Sequence, residues 1–237
     1  ALVFRHLDPL TPHDRDVLRQ YAIDRDVHVY LQPGGPDTVQ VLWPEKSVLS
    51  YTLASESVVI EFQPTDFTQV NTAINEQMVA RVLEMMSLGE SDTLLDLFCG
   101  LGNFTLPLAR HAGQVTGVEG DAGLVSRARD NAALNGLDNT AFHVANLAQT
   151  NTDAGWAGSG YNKVLLDPPR SGAAEVMPLL GNIHPQRIVY VSCHPGSLAR
   201  DAGTLVNELG YRLRSAGVMD MFPHTAHVES IALFEAV

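Results

Sequence analysis

The sequence predicts an α/β fold: a seven-stranded, mostly parallel, doubly wound sheet preceded by a small α+β piece. Three observations predict it. From Asn71 onward, apolar stretches of strand length alternate with segments of helical periodicity. A glycine turn, Gly100-Leu101-Gly102, follows the first of those strands. The last two strand candidates lack a long crossover between them, so one of them should run antiparallel.

The elements follow in order. Residues 1–66 read as short strands around one amphipathic helix, Pro12 to about Arg25. The strand candidates are Val27–Leu31, Val39–Trp43 and Val58–Phe62, bounded by breakers such as Gln32-Pro33-Gly34-Gly35-Pro36. This piece looks incomplete as a domain. From Asn71 the residues Ile74, Met78, Val82 and Met86 form a helical stripe that stops near Gly89. Strands are then expected at Thr93–Phe98, Gln114–Val118, Thr140–Val144, Lys163–Asp167, Arg187–Ser192, Arg212–Met219 and Val228–Phe234. Helices are expected from the glycine turn to Arg110, from about Asp121 to a cap at Asn135-Gly136, near Glu175–Leu180 and over Ser197–Leu209. Two domains result: residues 1–66, part of an α+β domain, and residues 67–237, the doubly wound one.

Composition narrows the function classes. With 237 residues, 45% apolar and 18% charged, the chain is globular and large enough for a self-sufficient core. No run approaches the roughly 18 apolar residues of a membrane span, and the start lacks the features of a signal peptide, so a cytoplasmic protein without a membrane partner is expected. The first residue is Ala rather than Met, as expected of a piece of a longer chain. Cys99 and Cys193 lie far apart without a CxxC, which excludes a disulfide framework and a four-cysteine metal or iron–sulfur site. His224 and His227 lack further ligands, so no metal is expected. The net charge is −12, with 5 basic and 10 acidic residues in 1–66 and 10 and 17 beyond, which argues against a strong nucleic-acid binder. No obligate protein partner is evident.

In open α/β sheets, ligands sit beyond the carboxyl ends of the strands. Those ends are polar here: Asp96-Leu97-Phe98-Cys99 before the glycine turn, Glu119 after the second strand, Asn146 after the third, Asp167-Pro168-Pro169-Arg170 after the fourth, Ser192-Cys193-His194-Pro195 after the fifth. The G-x-G turn carries Thr105 where a dinucleotide fold wants a third glycine. With Glu119 placed to accept ribose hydroxyls, the pattern suggests a bound nucleoside. S-adenosylmethionine lacks a pyrophosphate and relaxes the third-glycine requirement; NAD is the alternative.

Cys99 reads as a small buried hydrophobe. Cys193 reads as a nucleophile, because it follows an apolar strand and precedes a helix start, where a thiol pKa should be depressed. Arg170 is either a surface arginine after a proline turn or a guanidinium that stacks on or pairs with a base or phosphate. Glu229, taken alone, is an exposed acid opening a strand. Gln69 reads alone as a helix-entry residue and Asn146 as a loop or N-cap residue.

Five segments together resemble a known family: Phe67-Thr68-Gln69-Val70-Asn71, Leu95–Phe104, Asp167–Arg170, Val191–Asp201 and Phe222–Glu229. They look like the RNA uracil-C5 methyltransferases that make 5-methyluridine, with the match running through residues 60–237 in order. Within that family, Ser-Cys-x-Pro-x-x-Leu-Ala-Arg-Asp and Met-Phe-Pro-His-Thr-x-His most resemble the bacterial 23S ribosomal RNA branch.

The resemblance implies a class I, Rossmann-like, S-adenosylmethionine-dependent methyltransferase. It implies that the Cys193 thiolate adds to uracil C6 and that Glu229 removes the C5 proton. It places Gln69, Phe98, Asn103, Glu119, Asn146 and Asp167 around the cofactor, and it implies a 23S ribosomal RNA substrate whose target base is extruded. Members of that branch commonly carry an upstream RNA-binding β-barrel and a four-cysteine iron–sulfur motif, neither present here. The chain is therefore expected to be a catalytic domain with the tail of a central domain, the missing part supplying the phosphate contacts. A non-catalytic nucleoside- or RNA-binding module and an NAD-dependent oxidoreductase are the alternatives.

Overall fold

The computed structural model describes residues 1–149, 155–158 and 160–237, which fall into two compact units. The first comprises Ala1–Tyr51 and Glu61–Thr68, the second Thr52–Ile60 and Gln69–Val237.

In the first unit, β1 (Leu2–Arg5) pairs parallel with β2 (Val29–Gln32), which pairs antiparallel with β3 (Gln40–Trp43). Helix α1 (Pro12–Arg25) begins where Thr11 accepts the Asp14 N–H and Asp14 reciprocates to the Thr11 backbone, a capping box with Pro12 in the first turn. Its buried Ala22 closes a small core with Val29, Leu31 and Leu42. The expected helix is thus found in place. The sequence reading missed β1, whose residues are all exposed and show no alternation.

A hairpin of β4 (Leu49–Leu53) and β5 (Val58–Phe62) follows. Within the second unit its tip is fixed by Asn135, whose side chain accepts the Val59 N–H at 2.8 Å and donates to the Val59 carbonyl at 2.7 Å.

The remainder of the second unit is the expected doubly wound sheet. Helix α2 (Thr72–Met86) is capped by Asn71 and buries Met78, Val82 and Met86, with Ile74 half-buried; it ends at Ser87 in the left-handed region rather than at Gly89. The elements that follow are β6 (Thr93–Leu97), α3 (Thr105–Ala109), β7 (Gln114–Glu119), α4 (Ala122–Leu134) and β8 (Thr140–Val144). Then come β9 (Lys163–Leu166), α5 (Met177–Ile183), β10 (Arg187–Ser192), α6 (Pro195–Asn207), β11 (Tyr211–Met219) and β12 (Glu229–Ala236). The sheet order is β11-β12-β10-β9-β6-β7-β8. All pairings are parallel except those of β12, which is antiparallel to both neighbours, because a short loop can only return the chain that way.

The middles of the central strands are largely apolar, as burial on both faces requires; Leu95, Leu97, Val164, Leu166, Ile188 and Tyr190 lie in one core cluster. Several expected boundaries move by a residue or more, two of them at the site. Asp167 lies one residue beyond β9, and α6 starts at Pro195 rather than Ser197, because His194 caps it by accepting the Ser197 N–H on Nδ1.

Candidate active site

The carboxyl end of β6 turns sharply. Phe98 takes φ +69°, and the N–H groups of Phe98 and Cys99 both donate to the Val118 carbonyl. Gly102 follows at φ +92°, where a Cβ would come 3.0 Å from Leu106 Cγ. Thr105, at the third-glycine position, donates its hydroxyl to Asp96 Oδ2 at 2.6 Å. The departure from the dinucleotide pattern is therefore a buried hydrogen bond. Asn103 exchanges two amide hydrogen bonds with the buried Asn75 of α2, at 2.9 and 3.0 Å. Cys99 is buried where Gly117 leaves room, since a Cβ there would lie 2.9 Å from its sulfur. Burial, then the charges of Asp96 and Glu119, push its thiol well up, in keeping with a packing role.

Glu119 ends β7 half-buried. One carboxylate oxygen accepts from Gly120 N–H (2.6 Å) and Asp121 N–H (3.1 Å), the other from Gly100 N–H (3.3 Å). The carboxylate is thereby held at the glycine turn. Asn146 lies exposed after β8, where its side chain accepts the Ala148 N–H in an Asx turn. Gln69 precedes the cap of α2, and its buried Oε1 has no hydrogen-bond partner among the described residues. An orphan buried acceptor is costly unless a donor arrives.

Three acids gather at the carboxyl ends of the central strands. Asp96 is fully buried, its Oδ1 without a hydrogen-bond partner among the described residues, and burial followed by repulsion from Glu119 raises its pKa to about 7. Burial, then Glu229 and Asp96, raise Asp167 to about 8. Glu229 is 5% exposed and is raised by burial, which corrects its reading as an exposed acid.

The antiparallel register accounts for that burial. Arg187 pairs with Glu235 and Ser192 with Ser230, so the ladder ends at the residues next in sequence to Cys193 and Glu229, and the charge of Glu229 is felt at the thiol. Cys193 is half-buried. Its thiol is raised, not depressed as expected: burial acts first, then Glu229 and Asp167, against smaller help from its own backbone hydrogen bond and Arg170. Burial, with two carboxylates, outweighs the helix start. The sequence reading also missed Asn75 as a support of the turn; an Asn inside an apolar helical stripe was its signal.

A seven-stranded sheet with this strand order, a glycine turn after its first strand and an acid ending the next defines the class I, Rossmann-like methyltransferase fold. Solved structures share it. That of M. jannaschii TYW2 in complex with AdoMet has a TM-score of 0.63 over 89% of this chain and 94% of that one at 16% identity, a likeness of fold. The Pyrococcus abyssi tRNA (uracil-54, C5)-methyltransferase in complex with S-adenosyl-L-homocysteine gives a TM-score of 0.72 at 30% identity, over 87% of this chain and 50% of that one.

The chain belongs to the tRNA (uracil-5-)-methyltransferase family, whose profile matches residues 42–237. Among similar proteins, the 23S rRNA (uracil(1939)-C(5))-methyltransferase RlmD of Xanthomonas campestris pv. campestris is 57% identical over 99% of this chain and 53% of its own length. The protein of the same description from Xylella fastidiosa is 54% identical over the same shares. The chain thus spans about half the length of the curated relatives it matches.

Proposed function

We propose that this chain carries the catalytic half of a 23S ribosomal RNA uracil-C5 methyltransferase that uses S-adenosylmethionine and makes 5-methyluridine in the cytoplasm. Residues 67–237 are its catalytic domain and residues 1–66 part of a central domain. The observation that carries the reading is the antiparallel pairing of Ser192 with Ser230, which brings the half-buried thiol of Cys193 and the buried carboxyl of Glu229, their sequence neighbours, to the same end of the sheet, where the charge of Glu229 is felt at the thiol. The 54–57% identity to proteins described as acting on 23S rRNA supports the substrate.

The chain fits the cofactor. The Glu119 carboxylate suits ribose hydroxyls, Gln69 Oε1 is an acceptor that needs a donor, and the Phe98–Asn103 turn, held by Asn75, would cradle the nucleoside beside Asp167 and Asn146. When bound, S-adenosylmethionine supplies an electrophilic methyl group.

The chain's own residues supply the rest. Uracil C5 is too weak a nucleophile unaided, so the Cys193 thiolate adds to C6 and shifts the ring electrons onto C5. Once C5 is methylated, its proton passes to Glu229, and the electrons left behind expel the thiolate from C6. Burial raises the basicity of Glu229 toward working pH, as a general base requires.

The test is RNA containing 5-fluorouracil, incubated with the chain and S-adenosylmethionine. Fluorine at C5 blocks proton removal, so a covalent complex should appear on a denaturing gel. A chain that binds the cofactor yet forms neither this complex nor 5-methyluridine would be a nucleoside-binding module instead.

A further inference from the structure

The signature around Cys193 extends to Arg200 and Asp201, which the chemistry above leaves without a task. Both reach back to the turn that follows Asp167. The Ser197 hydroxyl lies 3.1 Å from the Arg170 carbonyl, and Arg200 Nη2 donates to the Ser171 carbonyl at 2.8 Å. Asp201, 1% exposed, accepts the Ala173 N–H at 2.8 Å, the Tyr190 hydroxyl at 2.7 Å and Arg200 Nε at 2.8 Å. Between them Gly172 takes φ +87°, where a Cβ would come 2.5 Å from Arg200 Nη2, 2.6 Å from Asp201 Oδ2 and 2.9 Å from Ser197 Cβ.

Three residues of one helix thus bond Arg170, Ser171 and Ala173, with Gly172 packed between them. Burying a carboxylate to hold a turn whose Arg170 and Ser171 are exposed is costly, and the turn adds only Ala173 to the apolar core. What the turn carries outward is Arg170, an exposed guanidinium whose charge is felt at Cys193. The charged groups facing that sulfur are Glu229 from β12, Asp167 from the end of β9 and Arg170 from this turn.

We propose that Ser197, Arg200 and Asp201 are positioning residues: they lock the 170–173 turn onto α6 so that the charge of the Arg170 guanidinium reaches the Cys193 sulfur as a counter-charge to Glu229 and Asp167. This deepens the reading of Cys193 as the nucleophile and rests on it. The grip joins the turn that carries Arg170 to the helix that follows Cys193.

The test is the pH dependence of Cys193 alkylation by iodoacetamide in the intact chain, followed on the Cys193 peptide by mass spectrometry. In Asp201→Ala the midpoint should rise by about half a pH unit, a roughly threefold lower rate below the midpoint. Coulomb effects alone predict the opposite sign, because the substitution removes an anion. Arg170→Gln should reproduce the rise, and the double variant should add nothing to it. Asp201→Asn, which keeps an acceptor for the Ala173 N–H, should lie nearer the parent chain. A folded Asp201→Ala with an unchanged or lower midpoint, or additive behaviour in the double variant, would overturn the proposal. Should Asp201→Ala not fold, Ser197→Ala decides: it should show a smaller rise, and a flat response there would be equally damaging. The profile needs neither RNA nor cofactor. A chain that alkylates as expected yet forms no complex with 5-fluorouracil RNA would keep the positioning role and lose the methyltransferase reading.

Discussion

At the amino ends of β6, β9 and β10, Lys163 and Arg187 each meet a carboxylate, whereas at the carboxyl ends of the same strands Asp96, Asp167 and Glu229 crowd together. Lys163 Nζ reaches Asp92 Oδ2 and the Ser87 carbonyl, each at 2.6 Å, and Arg187 bonds Glu235 at 2.6 Å and the Met85 carbonyl at 2.8 Å. Burial would raise Asp92, but hydrogen bonds from Lys163, Gly89 and Asn162 hold it below the usual carboxylate range. A cavity of 310 Å³ lies at this end, lined by Asp92, Lys163, Arg187 and Glu235, yet its charges satisfy one another. At the other end, burial lifts all three acids, and repulsion from neighbouring carboxylates adds to it at Asp96 and Asp167. The difference separates two uses of buried charge. Closely paired ions hold the frame, while crowded acids store reactivity that a ligand can use.

The sharpest way to test that contrast is at the nucleophile. Cys193→Ala should reduce methylation and adduct formation to background while cofactor binding by calorimetry persists, and Cys99→Ala should retain most activity. Equal loss from both would assign the thiol chemistry wrongly. Glu229→Gln should come next. Addition and methyl transfer remain possible, but release of methylated RNA should fall by about a hundredfold to ten-thousandfold, and an RNA–protein adduct should accumulate. Normal release with no shifted band would take Glu229 out of the mechanism.

At the opposite end, Lys163→Met should leave a half-buried Asp92 without its cation and cost about 1–2 kcal/mol of stability by denaturant titration. Turnover per folded molecule should be unchanged. A loss of turnover without a loss of stability would mean that the two ends are not independent.

The smallest effect is a slope. Folded Asp96 and Asp167 keep their protons up to about pH 7 and 8, whereas in the unfolded chain they release them near ~4. The folded state then binds more protons between those limits, and stability falls as pH rises through the window. Asp92 acts in reverse, contributing above its unfolded value and losing that contribution only in acid. Thermal melts of the ligand-free chain should therefore show a lower Tm at about pH 8 than at about pH 5, and Asp96→Asn should flatten the decline. A Tm that climbs toward pH 8 would show that Asp96 and Asp167 ionise in the folded chain as readily as in the unfolded one.

The sequence by itself determined the order and type of most elements, because the periodicity of Ile74, Met78, Val82 and Met86 and the apolar runs of the central strands are local signals. It also determined which residues end the strands, and hence Glu119, Asp167 and Cys193 as candidates. It passed over β4, although Leu49-Ser50-Tyr51-Thr52-Leu53 alternates as a half-buried strand should.

Only the tertiary structure decided the chemistry of those candidates. Glu229 is buried because β12 runs antiparallel beside β10, a register that joins residues far apart in the chain. The same holds for Thr105 on Asp96, Asn75 on Asn103 and Asp201 on the Ala173 turn, each a bond between separate elements. A pKa depends on burial and on the distance to other charges. Neither is a property of a residue's neighbours in sequence, which is why the thiol was expected low and is found high.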